Sequence, residues 1–487
     1  MWNWFRRLLG KAGSDGARLR PIRLLRARYD AAATTEDNRR HWANADGLSA
    51  NAANSPEVRR VLRNRARYEV ANNSYARGIV STLANDVIGT GPRLQMLTPD
   101  AGTNRFVERE FVRWSQAVRL AEKLRTMRVA RAEDGEAFGI LTNNERLATP
   151  VTLDVKLVEA DQVTTPNLTF DLPNAIDGIV FDAFGNPAEY HVLRYHPGDA
   201  RALVDGTIDR LPARAVLHYF RCDRPGQNRG IPDITPALPL FAQLRRFTLA
   251  VLAAAETAAD FAGILYTDAP ANGEAESVEP MDTIELEKRA LLTMPGGWKM
   301  SQLQAEQPAT TYAEFKREIL NEIARCLDMP YNVAACNSSS YNYASGRLDH
   351  QVYYKSIRVE QAHLGLTVLD RVFAAWLDEA VLIEGYLPDS LRTLDADLSH
   401  QWMWDGNDHV DPQKEANAQS TRLTNHTTTL AHEYARQGRD WEAELRQRAK
   451  ELELMAELGL IVVAVAPSSA HDTEVADEIP EESADDA

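Results

Sequence analysis

GRLDHQVYYKSIRVEQAHLGLTVLDRVFAAWLDEAVLIE, residues 346–384, contains no proline. As one unbroken helix it would extend roughly 55 to 60 Å, at about 1.5 Å per residue. Its two halves differ. The second half sets Leu366, Leu369, Phe373, Trp376, Ala380 and Ile383 on one apolar stripe, whereas the first, LDHQVYYKSIRVEQAH, mixes Tyr, Lys, Arg and His on most faces. A helix that is apolar on one side for half its length and polar nearly all round for the rest rarely buries itself within one subunit. The stretch therefore predicts a long helix that needs neighbouring chains or a wet channel.

Directly before it stands NSSSYNYASGR, residues 337–347, crowded with hydroxyls, amides and tyrosines. Ser345 is its nearest approach to a nucleophile, and its charged neighbours are Arg347 and Asp349. A guanidinium stays protonated and a carboxylate is a weak base for an alcohol, so neither activates it well. The expected role is mechanical: Asn and Ser side chains bond backbone groups and cap the first turn of the long helix, with the tyrosines packing beside it.

Working outward, Ser55-Pro56 reads as an N-cap followed by an N1 proline. Val58, Val61, Leu62, Tyr68, Ile79, Val80 and Leu83 then recur at helical spacing until GTGPRL. FVEREFVRWSQAVRL reads as another helix. From about 125 to 220 the period becomes two: Val151, Leu153, Val155 and Leu157 alternate with Thr152, Asp154 and Lys156. DGIVFDAFGNPAEYHVLRYHP reads as two strands joined at Phe184 to Pro187, and ARAVLHYFRC as one more, giving a small antiparallel β layer. After a Pro/Gly-rich bend, LFAQLRRFTLAVLAAAETAADFAG predicts a long helix whose small residues, Ala253, Ala254 and Ala255 among them, permit close packing. MPGGWKMSQL reads as a turn and short strand, and TTYAEFKREILNEIARCLDMP as a helix with Thr311 and Glu314 spaced as a capping box. Asp411-Pro412 opens one C-terminal helix and Asp440 another, ended by Gly459. The tail SSAHDTEVADEIPEESADDA has too few apolar residues to fold, and residues 1 to about 50 read as an arm ordered by partners.

At 487 residues the chain predicts two or more subdomains. A hydrophobic content of 44% and a charged content of 25% are ordinary for a soluble protein, and no apolar run is expected to span a bilayer. MWNWFRRLLGKAG lacks a signal-peptide core and reads as a surface helix or arm. Cys222, Cys326 and Cys336 lack the close spacing of zinc or thioredoxin motifs and read as inert thiols. The formal charge of -16 argues against a protein that grips phosphate backbones over most of its surface, although the first eighty or so residues are Arg-rich. Gly-x-Ser-x-Gly elbows, Walker loops and His-Glu-x-x-His do not occur, and the eleven histidines are scattered; His426 and His432 stand six apart and share no helix face. No catalytic residue, metal ligand or cofactor-binding residue is expected.

Taken together, the segments resemble the lambda-type phage portal protein family. The resemblance is carried by RYEVANNSYARGIVSTLANDVIGTGPRLQ (67–95), DGEAFGIL, LDVKLVEADQV and GIVFDAFGNPAEYHVLRYHPGD. It continues through HYFRCDRPGQNRGIPDITPAL, IARCLDMPYNVAACNSSSYNYASGR, DPQKEANAQSTRL and YARQGRDWEAE, in family order over about 60 to 450. The loop departs from the family pattern: it reads NSSSYNYASGR where an acidic residue is expected before an Asn-Tyr-Ser-Ser-x-Arg-like core.

The resemblance implies a predominantly helical α+β portal fold with wing, stem, clip and crown, closed as a ring of about twelve subunits at one capsid vertex. Double-stranded DNA would pass through it in packaging and ejection. The implied partners are the terminase large subunit, the major capsid and scaffold proteins and head-completion or adaptor proteins, with no membrane. The place of action would be the virion, and the host cytoplasm during assembly. By order the resemblance implies a basic arm at 1–54, wing at 55–194, clip at 195–235 and a stem helix at 236–264. Wing and tunnel-lining helices would follow at 265–400, crown helices at 401–466 and an acidic tail at 467–487. Asn342, Tyr343, Ser345 and Arg347 would form the joint from which the tunnel and wing helix departs, and Ala253, Ala254 and Ala255 would pack the stem helix. The competing readings are a head-tail adaptor ring, which predicts a smaller ring on an existing portal, and a metal-dependent hydrolase, which predicts activity in a single subunit.

Overall fold

The computed structural model describes residues 35–460, apart from 37, 166–173, 204, 261–263, 268–297, 302–308, 340, 394–395 and 407–411. The arm before residue 35, Asp411 and the acidic tail lie outside the described residues. The chain divides into two units, residues 1–53 and 54–487. In the first, the described part is a series of turns ending in a helical turn at Ala50–Ala53. The second carries the sheets and the long helices.

Ser55 caps the opening helix, α1 (Pro56–Asn72), by accepting from the Val58 amide, and Pro56 stands at the first turn, where its missing N–H costs nothing. The pattern then departs from expectation. Val58, Val61 and Tyr68 are exposed, while Arg59, Arg63, Ala66 and Val70 face inward. The helical repeat is real, but its inward stripe carries two arginines because buried carboxylates wait for them. The expected single helix is two. Asn73 donates its amide to Glu69 and accepts from the amides of Tyr75 and Ala76, restarting the chain as α2 (Ser74–Ile88).

Strand β1 (Arg93–Met96) and α3 (Ala101–Ala117) follow, and then α4 (Leu120–Asp134), where the two-residue period was expected to begin. Helix α4 buries Leu120, Leu124, Met127, Arg131 and Asp134 at helical spacing, and its last two inward positions are charged. In this region strands begin only at Glu136. β2 (Glu136–Asn143), β3 (Leu153–Val158) and β8 (Val216–Phe220) form an antiparallel sheet in the order β3-β2-β8. In place of one β layer there is a second sheet, β4 (Ala175–Ile176), β5 (Ile179–Phe181), β6 (Pro187–Leu193) and β7 (Ile208–Pro212), in chain order. A small core of Phe138, Val163, Ile179, Tyr190, Val192 and Val216 draws on both sheets.

Helix α5 (Leu238–Asp260) lies where the long Ala-rich helix was expected. By length and composition residues 235–256 could cross a membrane, which corrects the reading that no apolar run is long enough. Its first half nevertheless packs into the core through Leu238, Phe241 and Leu244, and Arg245 lies over the Tyr68 ring. Strands β9 (Ile264–Thr267) and β10 (Trp298–Ser301) pair antiparallel. Helix α6 (Ala309–Arg325) begins two residues before Thr311, so Thr311 lies within the helix and the expected capping box is not its start.

The long run then forms α7 (Tyr343–Leu364), a π-helical turn at Gly365–Leu369 and α8 (Asp370–Leu382). Strand β11 (His400–Met403) returns to pair with β1, bringing Trp402 opposite Leu94. Helices α9 (Pro412–Thr424), α10 (Leu430–Arg436) and α11 (Trp441–Glu457) end the described chain.

The main core gathers around aromatic contacts between α3 and α8. The Phe111 ring stands edge-on to Phe373 and to Trp376, each 5.5 Å away between centroids, a favourable quadrupole arrangement. Two glycines set how closely the loop at 229–231 approaches the start of β2. Gly135 takes φ +88°, and a Cβ there would lie 2.5 Å from the Ile231 carbonyl carbon. A Cβ on Gly230 would overlap the Gly135 oxygen. Gly135→Ala therefore combines a left-handed residue with a backbone overlap, and the expected cost is about 2–4 kcal/mol. A urea midpoint followed by tryptophan fluorescence checks this; an unchanged midpoint would mean that the crossing relaxes freely.

Candidate functional site

The closeness of those two glycines places Arg229 against Glu136, and both are fully buried. Arg229 donates through Nε to both Glu136 oxygens at 3.0 Å and through Nη2 to Oε1 at 2.7 Å, while the Gly230 amide donates to Oε2 at 3.1 Å. His218 Nε2 meets Oε2 at 3.0 Å, and Arg63 reaches in from α1 to donate to the same carboxylate. Arg229 Nη1 also donates to the Val163 carbonyl at 3.1 Å and to Asp177 Oδ2 at 3.0 Å, and Arg59 completes the cluster on Asp177. Arg67 joins Asp134 and Asp161 at 2.6 and 2.7 Å.

Burial by itself would raise the Glu136 carboxyl, but Arg229, His218 and Arg63 hold it well below the usual carboxylate range. Burial is opposed in the same way at Asp177 by Arg229 and Arg59, and at Asp161 by Arg63 and Arg67, so both are lowered. Burial, reinforced by Arg229, lowers Arg59 to about 10, and it also lowers His218 despite Glu136 beside it. The cluster joins α1, both sheets and the loop before α5.

A second cluster lies behind α7. Arg128 and Arg131 of α4, 4% and 2% exposed in their side chains, face Asp233 and Glu360, with Arg128 Nη1 3.0 Å from Asp233. Arg131 Nη1 donates to the Tyr219 hydroxyl at 3.0 Å and also to Glu360; the same hydroxyl donates to Glu360. Tyr353 of α7 is buried and donates to Asp86 at 2.6 Å; burial outweighs that bond and raises the Asp86 carboxyl. Gln361 donates to the Val87 carbonyl, and His363 Nε2 meets the Phe220 carbonyl, at 3.0 Å each.

The opposite side of α7 is open. Leu348, Val352 and Val359 are 65%, 58% and 65% exposed, and Leu366 in the π turn is 72% exposed. Leu366 thus leaves the apolar stripe on which it was expected. The π turn inserts one extra residue, so Leu364, Gly365 and Val368 fill the inner face instead, and Leu369, Phe373, Trp376 and Ala380 continue it. Val372 and Leu377 join them on α8.

At the start of α7, Asn342 accepts from the Ser345 amide at 2.8 Å and caps the helix, while the Ser345 hydroxyl donates to the Asn342 carbonyl at 3.3 Å. Tyr343 is the first helical residue; Arg347 is exposed one turn on. Ala253, Ala254 and Ala255 are exposed residues of α5, spread around the helix and not aligned along one face. Neither charged cluster was foreseen from sequence. The available signals were arginines at successive turns of α1, Arg59, Arg63 and Arg67, and the pairing of Gly-Glu at 135–136 with Arg-Gly at 229–230.

Glu159, Asp161 and His196 bring their ligand atoms within 4.8 Å of one another, the spacing of a metal site. Their chemistry fits an ion-paired group better. His196 Nδ1 accepts from the Gly198 amide at 3.0 Å, so its proton sits on Nε2, 3.5 Å from each carboxylate. Arg67 already serves both acids and Arg63 serves Asp161. Other histidines bond locally: His191 with Glu189 at 2.8 Å, His350 with Asn332 at 2.9 Å, His400 with Asp370 at 3.3 Å.

Charges spent on holding helices to sheets, behind a long helix left half uncovered, define a structural subunit. The sequence profile of the family described as "Phage portal protein, lambda family" matches residues 36–361. The chain belongs to that family, a structural one whose members are portal proteins of the virion. It is 26% identical over 426 residues to a "Probable portal protein" of Halomonas phage phiHAP-1, covering 82% of this chain and 81% of that one. Among solved structures it is similar to "Neck of empty GTA particle computed with C6 symmetry" (TM-score 0.43, 15% identity, 73% of this chain and 86% of that one). It is also similar to "Neck of native GTA particle computed with C12 symmetry" (TM-score 0.43, 15% identity, 76% and 89%).

Glu136→Gln removes the charge to which Arg229 and Arg63 are bound, and the expected loss is about 3–5 kcal/mol. The pH dependence follows from the direction of the shift. A carboxyl depressed in the folded chain stabilises it above the unfolded value of about 4.3, and that contribution fades as pH falls below it. The wild-type denaturation midpoint is therefore expected to drop more between pH 5 and pH 3 than that of Glu136→Gln; parallel curves would remove Glu136 from the acid response.

Proposed function

We propose that this chain is the subunit of a portal ring: a closed cyclic oligomer, dodecameric in the capsid by family resemblance, set at one vertex and passing double-stranded DNA during packaging and ejection. The observation that carries the reading is the long helix α7. It is anchored on one side by Tyr353, Ile357 and Leu364 and leaves Leu348, Val352 and Val359 uncovered on the other. A repeating head-to-tail contact that closes on itself covers such a face in every copy. Membership of the portal family supports the same reading.

Within the ring, residues 55–194 and 265–400 belong to the wing and tunnel wall, 195–235 to the clip, 236–264 to the stem and 401–466 to the crown. The described residues 195–235 give β7 and β8 to the same sheets as 55–194, so the clip would be carried by the loops around those strands. The outside partners would be the terminase large subunit, the capsid and scaffold proteins and head-completion proteins. The formal charge of -16 suits a conduit, since each strong phosphate contact would add salt-dependent affinity and slow the passage of DNA. The role needs no catalysis and no cofactor.

Native mass spectrometry with negative-stain imaging tests the reading. The expected result is an annular particle of many copies with a hole wide enough for a duplex; a chain that stays monomeric at high concentration overturns it. Tyr343→Ala and Arg347→Ala are expected to reduce ring assembly or DNA packaging, and normal packaging by both would dismiss the joint. Ala254→Leu is expected to overpack a stem contact by about 1–3 kcal/mol, read as a lower dissociation midpoint of the ring. Unchanged assembly would place that alanine on a free surface.

A further inference from the structure

Beside the exposed face of α7 opens a cavity of about 400 Å³. Its floor holds Arg128, Arg131 and Arg221 around Asp233 and Glu360, and Lys355 stands at its edge between Val352 and Val359. Arg128 Nε and Nη1 and Arg131 Nε are buried and make no hydrogen bond among the described residues, and neither do the two buried Asp233 oxygens; Arg128 Nε lies 3.9 Å from Glu360 and Arg131 Nε 3.7 Å from Asp233, so three such donors stand against two such acceptors. At the rim Arg325 and Asp328 pair with each other, and Arg221 turns its outer side to Asp223, outside the cavity. With Asp223 counted against Arg221, the four cations Arg128, Arg131, Arg221 and Lys355 still exceed the three carboxylates Asp233, Glu360 and Asp223 by one.

The same edge belongs to a longer stripe. Leu348, Val352, Lys355, Val359, Ala362 and Leu366 recur every three or four residues, over roughly 27 Å at about 1.5 Å per residue. Resting on the ring reading above, we propose that this face of α7 seats a second copy of the chain, which covers the apolar stripe and places a carboxylate side chain in the cavity under Lys355. A carboxylate on an alkyl stem fits better than a DNA phosphate: Arg128 and Arg131 are 4% and 2% exposed, out of reach of a phosphodiester flanked by its sugars, although Arg221 is half exposed, and Leu83, Leu327 and Ile357 line the same cavity. The charges match as well, because the chain carries 70 acidic residues against 54 basic ones and offers carboxylates in excess.

The test mixes light and 15N-labelled full-length chains, assembles them, and treats them with a carbodiimide that joins an amine to a carboxylate it touches. The expected product is a light–heavy peptide pair linking Lys355 to an Asp or Glu of the other copy. Lys355→Glu and Val359→Asp, both surface changes, should raise the concentration needed for assembly at least tenfold while leaving the monomer's melting unchanged. Rings that form normally in both variants, with Lys355 linked only within its own chain, overturn the interface but leave the ring. Rings whose Lys355 stays open to acetylation until duplex DNA is added overturn it in favour of nucleic acid. Failure of the wild-type chain to oligomerise at all removes the ring reading, and this proposal with it.

Discussion

The ion cluster centred on Glu136 is the constraint on which the rest of the structure depends. A buried carboxylate with two guanidiniums, an imidazole and a backbone amide around it is tolerable only when every partner is in place, because each alone would be a desolvated charge. Arg63 comes from α1, His218 from β8 and Arg229 from the loop before α5. The cluster is thus complete only once segments more than a hundred and fifty residues apart have met. Its value lies more in fixing one arrangement than in net stability, since an apolar core of the same volume could hold the elements as firmly.

From that fixed point the placement of α7 follows by geometry. Helix α4 runs into β2 at Gly135, and its two inward arginines reach Glu360 on α7. Helix α7 is therefore held along one side by charge pairs and by Tyr353, and its other side is exposed. The π turn then shifts the register so that α8 can turn its aromatic face into the Phe111 cluster while Leu366 stays outward. A subunit so built is packed where it is covered and leaves one face of α7 exposed, which suits the ring proposed above.

Much of this was legible in the residues. Family membership, the long α5, the α7–α8 run and the Ser55-Pro56 start depend on local sequence: spacing, capping and proline geometry act within a few residues. The alternation of Val151, Leu153 and Val155 likewise shows in the chain and in the fold. Two elements whose inward stripe is charged ran against the expectation. Helix α1 was read with Val58 and Val61 inside, and α4 was missed, because hydrophobic periodicity treats a buried arginine as surface.

The sequence by itself determined the family, the long helices after residues 237 and 342 and the fact that one long helix would be only partly covered, because those depend on local periodicity and on segments recognisable in order. Only the tertiary structure decided which side of α1 and α4 is inward, where the long helix changes register and which face of it stays bare. Those depend on charges distant in the chain neutralising one another, and on one extra residue in a helical turn; neither leaves a mark on local hydrophobicity.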